Sequence, residues 1–306
     1  MNYQGLGLTI RSDAPLSFIT ATRAKRPDVA LRQGVVGTPD GALLHDLEDW
    51  PGGPALRVWA EHDTPRTIAY GGWRARLEAD AILYAGADPM LGWPLVVERV
   101  MLPWWVMRER PNVLALHGAA LELNGRALVV LGDSGVGKSS TVAEALRRGA
   151  RLLADDMVLI DLSRLAVLPG APTLRLWRPP ELPTTTSASI PGMATKRWYR
   201  LSDALGCTTA TPLEQVIILQ RHPEAPTRGQ RLSPARGLHA LALILRHTLE
   251  VTHPTPARIT QRVARARALL DALPPRIWRF SASASGAPEH VAGLLDLLRD
   301  EASHDR

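Results

Sequence analysis

The sequence predicts an α/β protein: a P-loop core with a mixed sheet, preceded by a β-rich N-terminal domain. Three observations carry this reading. Short alternating runs separated by Asp and Gly turn signals fill residues 1 to about 85. An Asn124-Gly125 pair stands between two apolar runs, the strongest short hairpin signal. That hairpin leads directly into Gly132-DSGV-Gly137-Lys138-Ser139, which opens a helix-period pattern. A hairpin entering the loop requires antiparallel strands beside parallel ones, hence a mixed sheet.

The elements follow in order. Leu6, Leu8 and Ile10 alternate as one buried strand face should, and Ala55–Ala60 and Thr67–Tyr70 are further strands. Trp50, Trp59 and Trp73 are most simply core residues. Residues 93–109 form a buried apolar helix that Pro103 kinks or splits, and Trp104-Trp105 pack inside it. This segment joins two domains, 1–88 and 89–306. Strands at 117–123 and 126–131 flank the Asn-Gly turn, and a helix over 139–148 buries Val142, Ala145 and Leu146 before Gly149 ends it. Residues 152–154 and 157–162 are strand, with Asp155-Asp156 between them. After a strand in 168–177, the Pro-, Thr- and Ser-rich stretch 179–198 is predicted as a long exposed loop. A strand at 213–221, helices at 234–249 and 256–272, a strand at 277–281 and a helix at 290–301 complete the chain.

Composition sets limits on function. With 306 residues, 45% hydrophobic and 22% charged, the chain reads as about two domains of an ordinary globular protein. No apolar run approaches the roughly 20 residues of a membrane span, and the N-terminus lacks a secretory layout. A lone cysteine, Cys207, excludes an internal disulfide and fits a reducing compartment, so the expected location is cytoplasmic. The net charge of +6 is spread along the chain without a block of like charges, which points away from nucleic acid as a partner.

Gly132–Ser139 matches the P-loop pattern at every position. Its glycines let main-chain N–H groups turn toward phosphate oxygens, and the following helix points its positive end at the same anion. Gly132, Asp133, Ser134, Gly135, Val136, Gly137, Lys138, Ser139 and Ser140 are therefore the expected nucleotide contacts. Lys138 reaches the β- and γ-phosphates, and Ser139 places its hydroxyl on Mg²⁺. Only three lysines occur, Lys25, Lys138 and Lys196, and one stands where the motif needs it.

Two further groups fall near this loop. Counting outward from the Asn-Gly turn, Leu123 faces Arg126, Leu121 faces Leu128, and His117 lands opposite Gly132. Asp155-Asp156 ends a strand, where one carboxylate suits Mg²⁺ and the other suits an acceptor's hydroxyl proton. Lys196-Arg197 is a candidate to close over phosphates or to bind an acidic acceptor. The plain alternatives are a capping or core histidine, a surface turn for the aspartates and a solvated surface for the cations.

The stretch LHGAALELNGRALVVLGDSGVGKSSTVAEALRRGARLLADDMVLID, residues 116–161, resembles the HPr kinase/phosphorylase family. It carries a His before an antiparallel hairpin, the GDSGVGKS loop, a short helix and an L-x-A-D-D strand end. The resemblance implies the kinase core shared with phosphoenolpyruvate carboxykinases, with ATP and Mg²⁺ as cofactors. It implies that Gly132, Gly135, Gly137 and Lys138 bind phosphates and that Ser139 and Asp155 hold Mg²⁺. Asp156 is then the general base toward an acceptor serine, with His117 assisting; the two aspartates can exchange roles. The family's second signature, an acidic-x-Arg-Gly stretch, is not evident downstream, where TRGQRL stands at 227–232. The opening GLGLTIRSDAPL and the later PGAPTLRLW look more like HPr-kinase-related proteins of ribosomal-peptide pathways, some of which phosphorylate the C-terminal serine of a lasso-peptide precursor. The resemblance implies a peptide or small-protein acceptor and a homo-oligomer. A free-serine kinase and a nucleotide-binding regulatory module are the competing readings.

Overall fold

The computed structural model describes residues 1–16, 19–24, 26–48, 54–61, 64–87, 92, 96–190, 193–222, 225, 232–249, 256–281 and 290–296. Nine strands from the first 86 residues make one sheet. They are β1 (Asn2–Gly5), β2 (Leu8–Ser12), β3 (Thr20–Ala21), β4 (Val29–Gln33), β5 (Ala42–Glu48), β6 (Ala55–Glu61), β7 (Thr64–Tyr70), β8 (Trp73–Leu77) and β9 (Ala81–Gly86). Their order is β3-β1-β2-β4-β9-β8-β7-β6-β5. Only β4 runs parallel to its neighbours, β2 and β9. Leu8 and Ile10 are buried on β2 as their alternation predicts. Leu6 is not on that strand: with Gly7 it turns β1 into β2 at positive φ, 56° and 68°. The glycine carries the second half of the turn without a Cβ penalty, and the Leu6 amide is held by the carbonyl of Pro169. Trp59 and Trp73 are half-buried, and Trp50 lies outside the described residues.

The apolar segment after this sheet begins with a π-helical turn at Val97–Met101 and continues as α1 (Leu102–Glu109). Pro103 sits in the first turn of α1, directly after the π-helical turn, and the backbone stays helical through Met101 and Leu102, so the segment is not split. Trp104 and Trp105 are buried, and the Trp105 indole donates to the carbonyl of Glu78 at 2.7 Å, tying α1 to the first sheet. Both rings are core packing, as the sequence predicts.

The second sheet builds the core around the loop. Its strands are β10 (Val113–Leu116), β11 (Gly118–Leu123), β12 (Arg126–Gly132), β13 (Arg151–Asp155), β14 (Val158–Asp161) and β15 (Ala166–Leu168). Three strands form a separate small sheet: β16 (Thr173–Leu176), β17 (Thr184–Ile190) and β18 (Met193–Leu201). Back in the second sheet, β19 (Thr211–Arg221), β20 (Leu232–Pro234) and β21 (Arg276–Phe280) complete the set. The order is β10-β14-β15-β19-β12-β11-β13, with β21 on the far part of β19 and β20 beside it. β12 runs parallel to β19 and antiparallel to β11, the mixed arrangement that the hairpin requires. Its register is the predicted one, from Leu123 against Arg126 to Gly118 against Leu131.

Helix α2 (Lys138–Arg147) covers one face through Val142, Ala145 and Leu146. Helices α3 (Gly237–His247) and α4 (Pro256–Ala272) cover the other through Ala240, Ile244, Ala266 and Leu269. Residues 290–296 form a further helical stretch, and the rest of the predicted 290–301 helix lies outside the described residues. The stretch 179–198 is not the predicted loop, because it supplies most of the β17–β18 hairpin. β17 is almost wholly exposed, so it shows no apolar period to read. Among the described residues no helix is long and apolar enough to cross a membrane.

Candidate functional site

The site starts at the end of β12. Gly132 has φ of 150°, and a Cβ there would lie 2.8 Å from Val136 and 3.0 Å from the carbonyl of Leu219, so only glycine lets the chain leave the sheet at this angle. Gly135 and Gly137 also take positive φ, and Gly137 immediately precedes α2. Lys138 is buried, and its ammonium donates to the carbonyls of Gly132 at 2.7 Å and Asp133 at 3.2 Å. Burial pushes the Lys138 ammonium below the ordinary lysine range, while nearby Asp155 and Asp156 pull it back up. Asp133, Ser134, Gly135 and Ser140 are exposed, Val136 is buried, and Gly137 and Ser139 lie between. Asp133 is ion-paired with Arg246 at 2.9 Å; both side chains are more than half exposed, so the pair contributes little to stability.

β13 brings the aspartates to this loop, because β13 pairs with β11, the other arm of the hairpin. Asp155 is buried and accepts two bonds, from the Ser139 hydroxyl at 3.0 Å and from the Arg175 main-chain N–H at 2.8 Å. Asp156 leaves the strand at a φ of 76°, a left-handed conformation uncommon for a side-chain-bearing residue. The turn sends its carboxylate away from that of Asp155 and toward Arg175, whose guanidinium lies 3.1 and 3.2 Å from the two oxygens. Strained backbone at the junction of two carboxylates is a feature expected of a working site rather than of an incidental surface turn.

His117 stands just beyond the last hairpin pair, beside Gly118. A Cβ on Gly118 would lie 2.6 Å from Leu131 Cδ2 and 2.8 Å from the Val130 carbonyl, so the strands approach closely there. The His117 ring Nδ1 is 3.1 Å from the Asp156 carbonyl and 3.8 Å from its carboxylate. A carbonyl only accepts, so Nδ1 carries the proton and Nε2 is the acceptor in the neutral ring. Burial holds the imidazole below its ordinary range, opposed by the Asp156 charge and reinforced by Lys138. The His117 main-chain N–H donates to the carbonyl of His247, which ends α3.

The predicted residues therefore divide. Gly132–Ser139, His117, Asp155 and Asp156 converge. Lys196 joins them from β18: its ammonium is lowered by burial and by Arg175, and raised by Asp156 and Asp155, which places it within their field. It also lies 5.5 Å from the ring of Trp177. Arg197 does not join. Opposite Ser189 in the hairpin, it donates to the Ser187 and Ser189 hydroxyls on the other face, as strand alternation demands. The residue that sequence reasoning missed is Arg175. It is the lone cation of the short strand Thr173–Leu176, and nothing in that run marks it as part of the site.

The arrangement fits a Mg²⁺-nucleotide. Magnesium is commonly held by one or two protein oxygens together with phosphates, and Ser139 and Asp155 form such an oxygen pair at the head of α2. Among the described residues no cluster of three or more His, Cys, Asp or Glu side chains offers a self-sufficient metal cage. These residues would hold the ion only alongside a phosphate-bearing ligand.

Comparison with known proteins finds the following likenesses. Residues 111–176 match the model of the HPr Serine kinase C-terminal domain. An HPr kinase/phosphorylase of Shouchella clausii is 32% identical over 149 residues, covering 47% of this chain and 47% of that protein. The Lacticaseibacillus casei protein of the same name is 33% identical over 105 residues, covering 34% and 33%. That of Treponema pallidum is 43% identical over 74 residues, covering 22% and 23%. The chain thus aligns with about half or less of the length of these curated relatives. The solved structure of the Hpr(Ser) kinase/phosphatase from Coxiella burnetii aligns with 62% of this chain and 98% of its own, at 11% identity and a TM-score of 0.35. The resemblance read from residues 116–161 is therefore one to the HPr kinase/phosphorylase family, carried by its C-terminal kinase domain.

Proposed function

We propose that this protein is a serine kinase that transfers the γ-phosphate of ATP to a hydroxyl on a peptide or small protein. The observation that carries the reading is the contact chain Ser139–Asp155–Arg175–Asp156–His117, set against a complete P-loop. Bound with Mg²⁺, ATP supplies an electrophilic γ-phosphorus and an ADP leaving group. Gly132 to Ser139 and Lys138 bind the phosphates, with Lys138 offsetting the charge that develops on the leaving oxygen. Ser139 and Asp155 would hold the ion. Asp156 takes the serine hydroxyl proton as the serine oxygen bonds to phosphorus and the bond to the leaving oxygen breaks. Arg175 orients Asp156, and His117 fixes the Asp156 backbone through its Nδ1–H. The nine-stranded N-terminal sheet, residues 1–88, is proposed as the acceptor-binding part, and the C-terminal serine of a lasso-peptide precursor as the acceptor.

The test is intact-mass spectrometry with ATP, Mg²⁺ and peptides ending in serine, beside free serine and HPr. A gain of one phosphate on a peptide is the expected result. Transfer to free serine alone would replace the peptide reading with a small-molecule kinase. Bound nucleotide with no transfer to any acceptor would count against a kinase.

A further inference from the structure

A second cavity of about 600 Å³ lies away from the phosphate site, between α1, β10 and α4. Arg108, Arg258, Arg262 and Arg265 line it, together with Trp104 and Met107. Among the described residues no lining side chain is an aspartate or glutamate, and none belongs to the P-loop or to the His117–Asp156 group. The three cations of α4 fall at i, i+4 and i+7, one face of the helix.

Two of the guanidinium groups are poorly provided for. The Nε of Arg265 and the Nη1 of Arg108 are buried without a hydrogen-bond partner. Arg108 has one acid beside it, Glu109 at 3.2 Å, while burial alone pushes Arg265 below the ordinary arginine range. Arg262 donates to the carbonyl of Leu245 and is engaged in the fold. Buried guanidinium nitrogens left without an acceptor, as on Arg108 and Arg265, are costly, and an anion in this partly apolar hollow would relieve that cost.

The floor of the cavity includes Leu114 and Ala115 of β10. Ala115 precedes His117 by two residues, about 7 Å along extended chain. Leu249, also in the lining, follows by two residues the His247 whose carbonyl holds His117. Chain bound in the cavity therefore lies within a few residues' reach of the candidate catalytic group.

We infer that the arginine-lined cavity between α1 and α4 docks an acidic segment of the acceptor, several Asp or Glu residues that precede or follow the target serine. The inference rests on the peptide-kinase reading above. Its volume lies within the range of ligand pockets, roughly 300–1,000 Å³, and takes a few residues rather than a folded domain. The apolar lining seats their aliphatic parts and the arginines their carboxylates.

The experiment measures fluorescence polarisation of a labelled serine peptide rich in Asp and Glu, beside its Asn/Gln counterpart. The acidic peptide is expected to bind about tenfold tighter or more, with the preference shrinking as salt rises. Arg258→Glu with Arg265→Glu is expected to reverse the preference toward a lysine-rich peptide. That rescue does not follow from general damage. Should the double variant not fold, Arg258→Gln alone is expected to raise KM for the acidic peptide with little change in kcat. Equal binding of the acidic and amide peptides, or unchanged acidic binding in a charge-reversed variant of normal stability, overturns the proposal. Complete displacement by citrate at equal charge concentration also overturns it, by showing a small-anion site. Acidic-peptide binding that depends on these arginines without phosphate transfer keeps the docking site and removes the kinase. Transfer to the amide peptide with equal KM does the reverse.

Discussion

At the residue scale, the site turns on how two adjacent aspartates are made different. Asp155 is buried and bonded to a hydroxyl and a main-chain N–H, which suits a fixed metal ligand. Asp156 is turned out by its positive φ and held by the Arg175 guanidinium. The sequence left the two roles interchangeable, and this geometry supports assigning Asp155 to the ion and Asp156 to the proton. The Arg175 role tests the division. Arg175→Gln keeps the backbone bond to Asp155 but frees Asp156, so kcat is expected to fall about tenfold or more while nucleotide affinity stays within about threefold. An unchanged kcat would show that Arg175 does not orient the base. Lys138→Ala is expected to lower transfer about a hundredfold or more without unfolding the protein. Normal turnover in a folded variant would remove the phosphate-site assignment. The glycines, Lys138, Ser139 and both aspartates were legible in the sequence because each occupies a fixed position in a short contiguous motif. Arg175 was not, since nothing local indicates that β16 crosses the end of β13.

At the element scale, the Asn124-Gly125 turn sets everything that follows. A two-residue loop fixes the hairpin register, and the register places His117 beside the start of the P-loop. Gly118 is where that closeness is most exacting. Gly118→Ala would drive a methyl against Leu131 and the Val130 carbonyl, so the expected cost is about 1–3 kcal/mol, read as a lowered urea midpoint. Wild-type stability in that variant would mean the strands are farther apart than described. The hairpin was readable because its turn residues and apolar runs are local signals. The β17–β18 hairpin was not, because β17 is Thr/Ser-rich and exposed, and such sequence reads equally well as loop. Its consequence for the site is parity: one strand sends Lys196 toward the aspartates and Arg197 away, which an extended loop would not have dictated.

At the scale of the whole molecule, the two sheets share no strand ladder among the described residues, but packing and bonds such as that of the Leu6 amide to the Pro169 carbonyl join them. One apolar cluster runs from Tyr3 and Ile10 of the first sheet through Trp104 and Trp105 to Leu159 and Leu168 beyond it. The division at 88/89 stays a proposal about chain organisation, and the shared cluster argues that the N-terminal sheet is fixed against the core. The molecule also buries imidazoles. His247 at the end of α3 and His290 beneath α2 are each held down to about 4, chiefly by burial. A histidine lowered in the folded state is protonated first in the unfolded chain. Its stabilisation is complete above about pH 6.5 and declines as the pH falls toward 4. Each histidine contributes at most about 1.4 kcal/mol per pH unit across that window. Urea midpoints should therefore drop between about pH 7 and pH 5, and His290→Gln should lessen the drop. A flat profile would contradict the burial of these rings.

The measurement that bears most directly on the central claim compares wild type with Asp156→Asn, reading Mg²⁺-nucleotide binding and phosphate transfer to a serine peptide side by side. Asparagine tolerates the left-handed backbone and keeps the side-chain shape, so the change removes proton acceptance and the charge paired with Arg175 while leaving the backbone in place. The account predicts transfer by the wild type, nucleotide binding in both, and a loss of about 10²–10⁴-fold in the variant's transfer rate. Transfer by Asp156→Asn within about tenfold of wild type would contradict the assignment of the base, and a wild type that binds no nucleotide would contradict the site itself.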